Sequence, residues 1–311
     1  MKKTFTVINN SKANFDEIYA MEDPRGYFSV LGSLDYMIPD LAAPVVRQIL
    51  AARARRYGKK PLVLDVGCSY GINAAVHRFP VSFTTLRRRY TRHEIAALSP
   101  AELLQLDRNY YASWPDVGIG RFVGLDASRP AIRYAQEVGL IERGIAADLE
   151  TESLSLADAR ALEEVDVILS TGSVGYVTEK TFQAVLTGRR RAPWIVSFVL
   201  RIFPYDSFSA TFAEHGLVTE RLPNTLFVQR RFSDLAEFTS GLDLLAQRGM
   251  NTDGFESDGL LRAELYVSRP LSDTRDFPLE DMVTVCSGVN RPVGSRYVRH
   301  GETEREVALE L

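Results

Sequence analysis

Only two cysteines, Cys68 and Cys286, occur in 311 residues, too few for a metal site or a disulfide framework. Histidine is nearly as scarce, with His77, His93, His215 and His300 making the whole set. No run approaches the ~18 apolar residues of a membrane span. The two lysines after Met1 are followed by no apolar stretch of the kind a secretory signal needs. These absences set the expectation of a soluble, cytoplasmic protein with no membrane partner. A formal net charge of −3 lacks the basic excess of a nucleic-acid-binding protein. The basic triplets Arg87-Arg88-Arg89 and Arg189-Arg190-Arg191 read as solvated helix ends. There is no internal repeat and no low-complexity segment. With 45% apolar and 25% charged residues the composition is that of an ordinary globular chain, and the length suits one large α/β domain with additions.

One stretch organises the rest. Residues 62–75 read Leu-Val-Leu-Asp-Val-Gly-Cys-Ser-Tyr-Gly-Ile-Asn-Ala-Ala. Leu62, Val63, Leu64 and Val66 form the short apolar run of a buried parallel strand, with Asp65 near its carboxyl end. Gly67 and Gly71 bracket a tight turn, where a missing side chain permits positive φ and lets a ligand approach closely. Asn73-Ala74-Ala75 then starts a helix whose free N–H groups point back at the turn. Ligands of open α/β sheets bind at this strand-to-helix crevice. The spacing is G-x-x-x-G, without the third glycine of a dinucleotide fingerprint, and so speaks against a Rossmann oxidoreductase.

An acidic residue, one apolar residue and then G-x-x-x-G resembles motif I of the class I S-adenosylmethionine (SAM)-dependent methyltransferases. That resemblance implies a Rossmann-like α/β sheet closed by a terminal antiparallel hairpin. It also implies that Asp65, Gly67, Cys68, Ser69, Gly71 and Asn73 surround SAM, with Cys68 a small space-filler in the turn. The strand Arg121–Asp126 comes much later than the ~20 residues usual between the glycine turn and the next acidic residue. Residues 77–117 therefore read as an inserted helical excursion able to contribute to substrate recognition. Asp126 and Ala127 follow that strand, where a carboxylate can accept two hydrogen bonds from a ribose diol. The competing role for Asp126 is a helix N-cap. Asp148 and Leu149 fall where the family contacts the adenine amino group and ring. Ser170, Thr171 and Ser173 end the strand that begins at Val165, at the position of motif IV.

The order of elements continues with a helix from Glu179, a strand at 193–200, and two β-prone runs, 217–222 and 225–232, around Pro223-Asn224. Strand, helix, strand, helix and hairpin are thus reproduced from 62 to 232. Agreement of motif positions with topology is stronger than any motif alone. Three regions are expected: a cap or lid over 1–57, with Tyr19, Tyr27 and Tyr36 as candidate pocket walls; a SAM-binding core over 58–232; and an extension over 233–311. The tail from 270 is expected to pack on the domain or on a second subunit, which would make a homodimer.

The chemistry is less determined. SAM's sulfonium makes its carbons electrophilic, so a protein mainly supplies orientation and electrostatics. A histidine base would help methyl transfer to an acidic hydroxyl, but none stands at motif IV. His77 lies about one and a half turns along the first helix, facing away from the ligand. Tyr176 and Ser173 are the favoured functional residues, with Phe203 and Tyr205 as further aromatics at the strand ends. The Asn/Asp-Pro-Pro-Tyr of base and amino-group methyltransferases is replaced by Ser170-Thr171-Gly172-Ser173, which disfavours DNA or protein-glutamine substrates. Two readings follow from the resemblance. One is a transferase methylating a small-molecule acceptor of secondary metabolism. The other is a methyltransferase-like cyclase with SAM as sole substrate, forming azetidine-2-carboxylate and methylthioadenosine.

Overall fold

The computed structural model of the chain describes residues 15–118, 120–285, 295–300 and 304–309. Cys286 lies outside them. The N-terminal part is helical: α1 (Asp16–Tyr19), α2 (Arg25–Ser33) and α3 (Ile38–Tyr57) precede β1 (Leu62–Val66). After the glycine turn come α4 (Ile72–Arg78), α5 (Phe83–Tyr90), α6 (His93–Ala96) and α7 (Pro100–Ala112). Then β2 (Arg121–Asp126), α8 (Arg129–Glu137), β3 (Arg143–Ala146), α9 (Leu156–Leu162), β4 (Val167–Thr171), α10 (Glu179–Leu186) and β5 (Trp194–Leu200) alternate. The remainder is α11 (Asp206–Glu214), β6 (Leu217–Arg231), α12 (Leu235–Gln247), β7 (Leu260–Pro270), α13 (Leu271–Asp276), α14 (Leu279–Met282), β8 (Ser295–His300) and β9 (Glu304–Leu309). No helix among the described residues is long and apolar enough to cross a membrane.

These strands form one sheet in the order β3-β2-β1-β4-β5-β7-β6-β9-β8. β1 to β5 are mutually parallel, and β7 runs antiparallel between β5 and β6. Every residue of β1 and of β5 is buried, which is why these strands read as continuous rather than alternating apolar runs. Val63, Val167 and Val196 join the core beneath α3 and the N-terminal helices, while Leu64, Ile168 and Ile195 face the opposite core. The one polar residue inside β1, Asp65, points to the first of these layers, where α4 also packs.

Two expectations need correction. Residues 217–222 and 225–232 are not two arms of a hairpin. They form the single 15-residue strand β6, whose pairing with β7 is irregular between Arg221 and Leu226. Pro223 can donate no ladder bond and Asn224 sits at φ 50°, so the turn signal resolves as a bulge that bends one strand. The antiparallel hairpin exists, but its second arm is β7, reached through α12. The boundary at 232 consequently marks no break in the sheet, because β7, placed in the extension, lies inside it.

The insertion is fixed by a buried polar knot. Asp107 is fully buried and accepts hydrogen bonds from the Tyr90 hydroxyl (3.0 Å), the Tyr134 hydroxyl (2.6 Å) and Arg89 (2.5 Å). α5 and α7 are thereby held against α8. α5 in turn supports α2, with Phe28 stacked on Tyr90 (4.7 Å between centroids) and beside Phe83 (5.2 Å). The insertion thus lies behind the N-terminal helices.

Candidate functional site

A cavity of about 590 Å³ opens at the carboxyl ends of β1, β2 and β4 and is covered by the N-terminal helices. Its floor is the glycine turn. Gly67 and Gly71 adopt φ of +70° and +80°, and Ser69 is also left-handed at +49°. The freed space is taken up by protein. A Cβ on Gly67 would meet the Ser173 Cβ at 2.6 Å, and one on Gly71 would press on Ala135 and Leu140 at 3.1–3.2 Å. The glycines thus let the β1 turn nest against the β4 turn and α8. Gly67 lines the cavity, but Gly71 does not.

Asp126 organises the turn electrostatically. Its Oδ2 accepts from the Ser69 N–H and its Oδ1 from the Ser128 N–H, both at 2.8 Å. Burial pushes the carboxyl above its ordinary range, and these two backbone donors pull it back. The N-cap of α8 is Ser128, whose hydroxyl accepts from Ala131 N–H, so capping does not explain Asp126. Each oxygen keeps acceptor capacity on the cavity side of this fixed frame. Asp148 is held by an analogous local turn, accepting from Glu150 N–H (3.1 Å) and Thr151 Oγ1 (2.7 Å). Glu150 accepts from Thr178 and Thr181 and fastens the β3 loop to the start of α10.

Behind the turn, Asn73 Nδ2 donates to Asp65 Oδ1 and to Thr171 Oγ1, both at 2.8 Å. Asp65 Oδ1 is the acceptor here, so Asp65 holds the Asn73 amide with its NH2 toward β1. Asp65 Oδ2 is buried with no hydrogen-bond partner among the described residues. Burial raises the Asp65 carboxyl to about 7, against the Asn73 hydrogen bond and with help from the Asp126 charge. Between the ordinary carboxylate range near 4 and about 7, the folded protein holds a proton that the unfolded chain has lost. The stability this group contributes is fully present at low pH and is lost as pH rises through about 7. The thermal midpoint of the ligand-free Asp65→Asn variant should therefore gain on wild type as pH goes from 5 to 8. A difference that stays constant with pH would show that Asp65 does not titrate in this window.

The cover is aromatic. Tyr19, Tyr27 and Tyr36 all line the cavity. Burial raises the Tyr27 and Tyr36 hydroxyls. The cover is anchored to the turns it spans: Tyr70 places its hydroxyl 2.8 Å from Ile18 O and 2.9 Å from Met21 O, and Ser128 Oγ donates to Tyr19 O. Farther along, Met37 N–H donates to Gln229 O and Arg231 N–H to Leu34 O, so this segment is also tied to β6.

Of the residues singled out by the sequence, Gly67, Cys68, Ser69, Asn73, Asp126, Ala127, Asp148, Leu149, Thr171, Ser173 and Tyr176 converge on this cavity. Asp65 and Ser170 stand one layer back; Ser170 is fully buried and pairs with the Ser173 hydroxyl at 2.6 Å. Tyr176 is 40% exposed at the rim. Phe203 and Tyr205 are core residues outside the cavity, Phe203 filling the space beneath Gly175 and Tyr205 stacking on Phe208. His77 is buried, stacked over Phe122 and pushed down to about 3 by burial and Arg47, so it is neutral and remote. No residue of 77–117 lines the cavity. Sequence reasoning missed Arg129, Ile72, Pro39 and Thr181 among the lining residues. Arg129 directly follows Ser128, so extending the loop by one residue past its N-cap would have found it.

Five parallel strands ordered 3-2-1-4-5, a reversed strand between the last two of the core, and a cavity at the glycine turn after β1 define the Rossmann-like class I methyltransferase fold. By sequence the chain matches no protein-family model and no curated protein. Among solved structures it is similar to the plantazolicin methyltransferase BpumL in complex with S-adenosylhomocysteine (SAH), at 13% identity and a TM-score of 0.42, over 86% of this chain and 98% of that one. It is also similar to the magnesium protoporphyrin IX methyltransferase of Synechocystis with bound SAM, at 10% identity and 0.35, over 86% and 96% of the two chains. A third is a TehB-like SAM-dependent methyltransferase from Corynebacterium glutamicum, at 15% identity and 0.33, over 70% and 88%. At these scores the fold assignment stands on the strand order and the site on its own residues.

Proposed function

We propose that this protein binds SAM in the cavity and transfers its methyl group to a small-molecule acceptor. The observation that carries this reading is Asp126, a partly buried carboxylate held in place by two backbone N–H groups with acceptor capacity left toward the cavity. Such a group suits the two hydroxyls of a ribose. The rest of the lining fits the same ligand. Asp148 and the Leu149 N–H would take the adenine edge. The Gly67–Ser69 turn, Asn73 and Thr171 would hold the amino-acid end, with the buried Asp65 behind them fixing the Asn73 amide. The bound cofactor supplies a methyl group on a positively charged sulfur.

This chain's residues would orient and enclose the reactants. Ser173, its hydroxyl set by Ser170, and Tyr176 stand at the β4 end between floor and rim, where they would position the acceptor. Tyr19, Tyr27 and Tyr36 would exclude water. No lysine or histidine lines the cavity among the described residues, so an acceptor that needs no strong base suits it best.

That same lack of a base, together with the closed tyrosine cover, supports a second reading: SAM as sole substrate, its own amino group attacking the γ-carbon. Incubating the purified protein with SAM alone and analysing products by mass spectrometry separates the two. SAM bound and recovered intact supports the transferase, and SAH formation then becomes the assay for candidate acceptors. Methylthioadenosine well above the non-enzymatic background, with a matching small amino acid, overturns the transferase in favour of the cyclase. Absence of SAM binding overturns both.

A further inference from the structure

The cavity divides into two chemically different halves. The charged residues that line it among the described residues, Asp126, Asp148 and Arg129, all follow β2 or β3. The opposite half is built from the cover, the turn after β4 and the first turn of α10. It carries no charged side chain among the described residues. Its cover side is Tyr19, Tyr27, Tyr36 and Pro39. Tyr27 lies 5.9 Å from Tyr19 and 6.5 Å from Tyr36. The same ring packs on the buried Phe28 (5.4 Å) and Phe83 (6.2 Å), so the core braces this wall. The β4 side is Ser173, Tyr176, Val177 and Thr181. Two of its hydroxyls are already committed inward. Ser173 Oγ lies 2.6 Å from Ser170 Oγ, and Thr181 Oγ1 donates to Glu150 at 2.6 Å. Glu150, the carboxylate behind Thr181, is further occupied by the Thr178 N–H (2.9 Å) and hydroxyl (2.7 Å).

A molecule seated in this half would strip water from any anionic group it carries without gaining a counter-charge, which is strongly penalised. An ammonium would find aromatic faces, but a proton ties up its lone pair. No lysine or histidine lines the cavity among the described residues to remove that proton. Aromatic and apolar walls instead suit a flat, uncharged ring. We propose that the methyl acceptor is a neutral aromatic heterocycle that reacts through the free lone pair of a ring nitrogen. The inference rests on the SAM-dependent transferase reading above and deepens it by naming the substrate class. The lone pair forms the new N–CH3 bond, and the electron pair of the broken S–CH3 bond stays on sulfur. The positive charge passes from sulfur to the ring. No proton moves, so the step needs no base.

Ligand-observed NMR titration of the SAH-saturated full chain tests it with two bicyclic probes of similar size. Isoquinoline is uncharged at pH 8 and offers a ring nitrogen, whereas 2-naphthoate is an anion. Isoquinoline should bind at least about tenfold more tightly. With SAM in place of SAH it should yield N-methylisoquinolinium and SAH, read by mass spectrometry. Val177→Lys puts a cation into the uncharged wall and should reduce the binding ratio to about threefold or less. If that variant fails to fold, Tyr176→Lys at the exposed rim serves the same purpose. Three results overturn the acceptor assignment while leaving SAM binding in place. They are naphthoate binding wild type as tightly as isoquinoline, a lysine variant that keeps the full ratio, and no N-methylisoquinolinium from a complex saturated with SAM and isoquinoline. Failure of SAM and SAH to bind in calorimetry instead overturns the cofactor reading, and this inference with it.

Discussion

Asp126→Ala should weaken SAM binding at least 100-fold while leaving a folded protein. Charge-assisted hydrogen bonds to a carboxylate contribute about 1.5–3 kcal/mol each, and a ribose diol would make two of them. The structure adds a second loss. The variant also deprives the Ser69 and Ser128 N–H groups of their acceptor, and Ser69 sits in the left-handed region that this contact helps to hold. Calorimetry reads the affinity and circular dichroism the fold. Unchanged affinity in a folded Asp126→Ala protein would remove Asp126 from the site and with it the main support for SAM. Asp126→Asn offers no easy rescue, since its amide NH2 would face one of the two backbone donors.

Gly67→Val should lose SAM binding and destabilise the protein together, by about 2–6 kcal/mol from backbone strain plus overpacking. A β-branched residue is badly suited to φ of +70°, and its Cβ would lie 2.6 Å from the Ser173 Cβ. The cause differs from simple obstruction of the ligand, because the direction a side chain would take is toward β4. That distinction is testable. Gly67→Ala carries the same Cβ clash with less bulk, and adding Ser173→Gly removes the atom it meets. The double variant should recover part of the lost melting temperature relative to Gly67→Ala alone. If Gly67→Val titrates SAM normally, the turn is not the cofactor floor. If Ser173→Gly gives no recovery, the tight contact between the two turns is not what Gly67 is for.

The sequence by itself determined the parallel half of the sheet and the place where a ligand would enter it. β1, β4 and β5 are buried on both faces over most of their length, so their residues are mostly apolar, broken only by Asp65, Ser170, Thr171 and Ser197, and such runs are visible without coordinates. The G-x-x-x-G turn was legible because positive φ demands glycine, and Asp126 because a carboxylate at a strand end is rarely idle. What lies far apart along the chain was decided only by the tertiary structure. Pro223-Asn224 carries the local signal of a hairpin, yet β7 supplies a long pairing partner, and the ladder on either side turns a chain reversal into a bulge. The helices of 77–117 read in sequence as an insertion able to contribute to substrate recognition, from their position after the cofactor turn. Tyr90, Tyr134 and Arg89 bind Asp107 instead and draw them behind α2. Tyr19, Tyr27 and Tyr36 could be named as pocket walls, but the inclination of their rings depends on contacts across the fold. Local propensity and hydrophobic run length act over a few residues and can be read in order, whereas register, packing partner and electric field are set by residues that only folding brings together.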